Sequence, residues 1–169
     1  MGTAKVQGQI WGVRARDWAE VQEGKFTQLF EAVLQKTGVG ASTALLDIGC
    51  GSGVFCQMAV KLGAQVSGLD AAEPLLAIAR ERVSHGDFRA GEMEELPYAN
   101  QTFDIVTGFN SFQFAASPVN ALKEARRVSR TGASLVAVLG KPEDTEAAAY
   151  FAALGSLLPP PPPGTPGPF

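Results

Sequence analysis

Apolar residues recur along this chain at two different periods, and the switches between them mark out its elements. Phe26, Leu29, Phe30, Val33 and Leu34 follow i, i+3, i+4 spacing, which predicts an amphipathic helix over roughly residues 17–36, ended by Gly38 and Gly40. The run at 44–48 is apolar except for Asp47 and reads as a buried strand. Phe55, Met58, Ala59 and Leu62 mark one face of the next helix, and 65–69 is a second strand. Pro74 stands in the first turn of a helix, where its missing N–H costs nothing, and Leu75, Ile78, Ala79 and Val83 turn toward the sheet. A third strand is predicted at about 87–91 and a fourth at 103–109. Ser117 and Pro118 then supply a cap and a first-turn proline, Arg130-Thr131-Gly132-Ala133 is the turn entering a fifth strand from Ser134 to Leu139, and Pro142, Glu143 and Asp144 open a last helix. Strands alternating with helices imply right-handed crossovers and a parallel sheet, a doubly wound α/β fold. Ligands of such sheets sit beyond the carboxyl ends of the strands, beside the first one.

Two features occupy that edge. The first strand runs into Gly49, Cys50, Gly51, Ser52 and Gly53, and the second ends on Asp70. A turn without side chains lets a ligand touch backbone, and a carboxylate about twenty residues on suits a ribose diol. Together they indicate a nucleoside-bearing cofactor. A dinucleotide fingerprint spaces its glycines G-x-G-x-x-G, whereas Val54 holds the sixth position here. Asp47 lies inside the strand, where its charge opposes a pyrophosphate at the helix N-terminus and favours a cation. A nicotinamide-dependent oxidoreductase is therefore the weaker reading.

The stretch from Leu45 to Gly53 resembles motif I of the class I S-adenosylmethionine-dependent methyltransferases, and Asp70 resembles their ribose-binding acid. Gly91 to Tyr98 is similar to the segment after their third strand, Phe103 to Val106 to their fourth strand, and Glu124 to Val128 to the helix before strand five. The likeness spans about residues 10–158 and is nearest to the small-molecule branch that includes ubiquinone and menaquinone biosynthesis methyltransferases. It implies a Rossmann-like, mostly parallel sheet of order 3-2-1-4-5, with S-adenosyl-L-methionine as cofactor, S-adenosyl-L-homocysteine as product and a small-molecule methyl acceptor. It assigns the cofactor to Asp47, Gly49, Cys50, Gly51, Gly53, Asp70, Ala71, Glu92 and Met93, with Glu92 one methylene longer than the usual Asp. Asn110 and Gln113 follow strand four at the same edge, and Asn110 is added to that set. Trp11 and Trp18 precede the first strand, where related enzymes cover the cofactor. The chain accordingly divides into a covering segment, 1–43, a cofactor-binding domain, 44–158, and a proline-rich tail, 159–169.

Composition narrows the partners. A chain of 169 residues, 46% hydrophobic and 18% charged, can bury the core of one domain. A formal net charge of −3 gives no case for nucleic acid, and Arg126, Arg127 and Arg130 cluster at a predicted helix end, where the dipole favours cations. No apolar run is long enough for a membrane span and no signal-peptide core precedes residue 20. Cys50 and Cys56 are too few and too close for a disulfide framework or a metal site, so the expected compartment is the cytoplasm. No general base stands out: the only histidine, His85, falls at the wrong edge of the sheet, leaving Tyr98 and Glu94 as candidates. After Glu146 no residue is charged, and five prolines fill 159–163. The last helix, apolar on every side, needs cover. The expectation is a fragment lacking the usual strands six and seven or, if complete, a homo-oligomer. A non-catalytic cofactor-binding module is the alternative function.

Overall fold

The computed structural model describes residues 2–140. The helix expected from Pro142 and the proline-rich tail lie outside the described residues. Five strands form one sheet of order β3-β2-β1-β4-β5, all paired in parallel: β1 Ala44–Ile48, β2 Gln65–Asp70, β3 Asp87–Ala90, β4 Phe103–Phe109 and β5 Ser129–Val138. The doubly wound order 3-2-1-4-5 is thus present. Leu45 on one face of β1 and Leu46 and Ile48 on the other are fully buried, because helices cover both faces of a parallel sheet. One face packs against α3 (Thr27–Thr37), α4 (Val54–Lys61) and α5 (Glu73–Arg82) through Phe30, Phe55, Leu76 and Ala79. The other face packs against α6 (Pro118–Val128) through Ala121, Ala125 and Val128, together with Leu96 and Phe103. Ser117 caps α6 as expected, its hydroxyl accepting from Asn120 N.

Several boundaries differ from the sequence reading, each for a local reason. The helix expected over 17–36 is broken: Ala15–Asp17 (α2) passes into a wide π turn at Trp18–Gln22 and a 3-10 turn at Glu23–Phe26 before α3 begins. The widened turn gives Trp18, Glu23 and Phe26 a common direction that one straight helix would not. A further helix, α1 (Ala4–Gly12), precedes them. Leu62 lies beyond the end of α4 and is half exposed. No helix joins β3 to β4; the connection is tied down instead by Leu96 N donating to Glu124 Oε2 and Ser117 N to Glu94 Oε1.

The fifth strand starts at Ser129 rather than Ser134, running straight out of α6. Its register with β4 jumps from Phe103↔Ser129 to Ile105↔Ser134, so the stretch Arg130-Thr131-Gly132-Ala133, expected as a turn, is a bulge within the strand. Arg130 therefore leaves the helix end and pairs with Asp104 at 2.6 Å. Among the described residues β5 forms an open edge, with Leu135 and Leu139 exposed.

Candidate active site

The carboxyl ends of β1, β2, β3 and β4 open into one cavity roofed by the N-terminal segment. Its empty space, with open solvent at the mouth included, is about 990 Å³. The floor is the glycine turn. Gly49, Gly51 and Gly53 all have left-handed φ, at 76°, 54° and 80°, a conformation that L side chains rarely adopt. A β-carbon on Gly49 would also collide with the Ser111 side chain, so this backbone is kept bare for close approach.

Asp70 clasps the turn from the end of β2. Its Oδ2 accepts from Gly51 N at 2.9 Å and its Oδ1 from Ala72 N at 2.8 Å. The bond to Ala72 falls just ahead of α5 and is no helix cap, and Asp70 also takes a place in the cavity wall. Each carboxylate oxygen has a second lone pair for a ligand hydroxyl. Burial raises the Asp70 pKa, against the backbone N–H groups of Ala72, Gly51 and Ala71 that lower it.

Asp47 lies beneath the turn, 2% exposed, accepting from Thr107 Oγ1 at 2.7 Å from the paired position of β4. Desolvation pushes its pKa up to about 7; the Thr107 hydroxyl opposes this, and the Asp70 and Glu23 carboxylates add to it. Cys50 also lines the floor and is buried, its thiol pushed up by burial.

Of the ten residues assigned from sequence, nine line the cavity: Asp47, Gly49, Cys50, Gly51, Asp70, Ala71, Glu92, Met93 and Asn110. Gly53 does not. Its bare Cα faces α5, where a β-carbon would stand 2.9 Å from that of Ala79, so this glycine serves helix packing. Glu92 has a structural task too: its Oε2 accepts from Ala4 N at 2.9 Å and anchors α1. Asn110 takes a left-handed φ of 48°, which turns the chain out of β4, and its N–H is bonded to Val138 O. Gln113, His85, Tyr98 and Glu94 are not in the lining. His85 is exposed ahead of β3, and the Tyr98 hydroxyl bonds to Gly68 O with its pKa raised by burial, so neither suits a general base.

The roof contributes what spacing did not reveal. Trp11 and Trp18 meet edge to face at 5.2 Å, Trp11 also meets Phe114 at 5.8 Å, and both tryptophans line the cavity. Phe26, Phe30, Phe55 and Phe109 form a contiguous aromatic wall. Glu23 is 5% exposed despite lying in a polar stretch, paired with Arg82 at 2.7 Å. No lysine, arginine or histidine lines the cavity among the described residues, while Glu23, Asp47, Asp70 and Glu92 do. Ser111 Oγ is buried without a hydrogen-bond partner. A bare glycine turn, an unpartnered hydroxyl and an acidic lining fit a cationic, nucleoside-bearing ligand and do not suit a pyrophosphate.

A family model described as a methyltransferase domain matches residues 46–137. A malonyl-[acyl-carrier protein] O-methyltransferase of Erwinia pyrifoliae is 34% identical over 109 residues, 64% of this chain and 42% of that protein. A ubiquinone biosynthesis O-methyltransferase of Mesorhizobium japonicum is 37% identical over 76 residues, 43% of this chain and 30% of that protein. The chain spans less than half the length of these curated relatives. The crystal structure of a SAM-dependent methyltransferase from Aquifex aeolicus superposes with a TM-score of 0.68 at 22% identity, covering 78% of this chain and 76% of that one, which shows a shared fold. With a match over more than half its length, continuous from β1 to β5, the chain belongs to the methyltransferase-domain family of the class I S-adenosylmethionine-dependent methyltransferases.

Proposed function

We propose that this domain binds S-adenosylmethionine through the glycine turn and Asp70 and directs its methyl group to a small-molecule acceptor. The observation that carries the reading is Asp70 bonded to the turn it faces, at the carboxyl edge of the sheet, in a cavity with no cationic side chain among the described residues. Asp70 takes the ribose hydroxyls and Met93 packs on the base. Gly49, Cys50, Gly51, Ala71, Asp47 and Asn110 surround the rest of the cofactor, and Glu92 joins the covering segment to it. The bound cofactor supplies an activated methyl on a sulfonium. The protein's share is alignment in a dry site, which can contribute roughly 7–11 kcal/mol in well-oriented systems. The aromatic wall of Phe26, Phe30, Phe55 and Phe109 excludes water and favours a flat or apolar acceptor. Both curated relatives are O-methyltransferases by name, which supports oxygen as the accepting atom. The two free thiols, both buried, fit a reducing compartment such as the cytoplasm.

Calorimetric titration with S-adenosylhomocysteine, with NAD in parallel, tests the cofactor assignment. Micromolar binding of the first, none of the second and at least tenfold weakening in Asp70→Asn are expected. Binding of NAD, or no effect of Asp70→Asn, would refute it. Transfer of labelled methyl to a panel of phenols and carboxylic acids then separates an enzyme from a binding module.

A further inference from the structure

Glu23 lies among Glu20, Gln22 and Lys25, a stretch that reads as solvated surface, yet it is 5% exposed. A carboxylate is drawn out of water only against compensation. Arg82 supplies it from the last turn of α5: Nη1 lies 2.7 Å from Glu23 Oε2, 3.0 Å from Ser52 O and 2.6 Å from Ser52 Oγ, while Nη2 donates to Ala19 O. The Ser52 hydroxyl also donates to Glu23 Oε2. One guanidinium thus joins α5, the glycine turn and the roof.

Both hydrogen bonds to the Glu23 carboxylate fall on one oxygen, Oε2. A carboxylate held purely as a clamp would present both oxygens to the guanidinium fork. Here Oε1 accepts no hydrogen bond from the described residues and is turned to Gly51. The point that a β-carbon on Gly51 would occupy is 3.4 Å from Glu23 Oε1 and 3.6 Å from Trp18 Nε1, and both residues line the cavity. The Trp18 indole N–H has no acceptor among the described residues either. Any ligand group laid against Gly51 therefore meets an anionic acceptor and a neutral donor together. Ser111, 5% exposed and with an unpartnered Oγ, stands against the neighbouring Gly49 from beyond the end of β4 and is a further polar group that a ligand would satisfy.

An acceptor and a donor side by side are the complement of an α-amino acid, whose ammonium donates and whose carboxylate accepts. We propose that Glu23 and Trp18 form the subsite for the amino-acid end of the cofactor, Glu23 Oε1 taking the ammonium and Trp18 Nε1–H the carboxylate. This rests on the cofactor assignment above and adds two residues from the roof, outside the glycine motif. Arg82 is a positioning residue in it, aiming the free oxygen of Glu23 at Gly51.

The test is calorimetric titration of the full chain with two probes that share the nucleoside thioether. S-adenosylhomocysteine has the amino-acid end and 5′-methylthioadenosine lacks it. Glu23→Gln retains an oxygen for Arg82 and turns an amide N–H toward the ammonium. It is expected to weaken S-adenosylhomocysteine at least tenfold while methylthioadenosine stays within about twofold, which also reports that the turn is folded. Trp18→Phe is expected to weaken S-adenosylhomocysteine alone, by about threefold or more. Equal weakening of both probes by Glu23→Gln would reduce Glu23 to a clamp, and unchanged S-adenosylhomocysteine affinity would remove it from the subsite. If the wild-type chain binds neither probe, the cofactor assignment itself falls.

Discussion

The floor and the roof of the cavity are built on opposite principles. The floor hangs from β1, whose Leu45, Leu46 and Ile48 are wholly buried, and from a ladder of parallel backbone bonds to β2 and β4. Each such side chain is worth about 1.5–3 kcal/mol of burial, so the glycine turn inherits the rigidity of the core. The roof has little of this. In α1 no residue is buried, and Val6, Ile10 and Val13 are more than half exposed. Besides a small apolar cluster of Ala15, Trp11 and Trp18 on Ala72, Leu75 and Ile78, it is latched by separate polar contacts: Thr3 Oγ1 to Phe114 O at 2.6 Å, Ala4 N to Glu92, and the Arg82 network. A site can thus combine a floor as stable as the whole domain with a cover that opens locally at far lower cost.

The sharpest way to break this contrast is to strike the floor and the joint between floor and roof. Gly49→Val forces a β-branched residue into left-handed φ and against Ser111; loss of detectable cofactor binding and at least about 3 kcal/mol of stability are expected, read by calorimetry and denaturant unfolding. Arg82→Ala leaves Glu23 buried without its cation. Removing one partner of a buried pair costs about 3–5 kcal/mol, and the guanidinium is 22% exposed, so about 2–3 kcal/mol is expected in thermal unfolding.

Asp47→Asn acts in the other direction. With its folded pKa raised from 3.8 to about 7, Asp47 holds a proton in the native state that the unfolded chain has lost, so stability falls as pH rises from about 4 to 7. Asparagine abolishes that fall and keeps an acceptor for Thr107. The variant should gain up to about 4 kcal/mol over wild type at pH 8 and little at pH 4, checked by unfolding without ligand across that range. The smallest effect belongs to the roof: Thr3→Ala removes one hydrogen bond, about 0.5–1.5 kcal/mol, and should speed amide exchange in α1 while leaving β1 protected. If β1 exchanged faster as well, floor and roof would be one cooperative unit.

The same division sets what the sequence disclosed. The strands of the floor were legible from apolar runs, and Gly49, Gly51 and Asp70 from spacing, because backbone geometry and hydrophobic burial leave a local pattern. The roof was not. Glu23 sits in a polar stretch, and its burial depends on Arg82, 59 positions away. Trp18 and Phe26, at the break in the helix expected at 17–36, pack into an aromatic cluster whose seven rings come from seven elements of the chain. Arg130 to Ala133 reads as a turn because Gly132 and the polar residues around it hide a bulge. Long-range side-chain contacts carry no period, so only the assembled structure reveals them.

The two cysteines give the floor a reporter. Cys50 lines the cavity and Cys56 is fully buried in α4, and burial holds both thiols well above their ordinary pKa. The reactive thiolate is therefore scarce while the turn is closed, and alkylation has to wait for the glycine turn to lift from β2. Labelling kinetics then time the opening of the floor itself, and a cofactor that spans Gly51 and Asp70 would slow the clock in proportion to its occupancy.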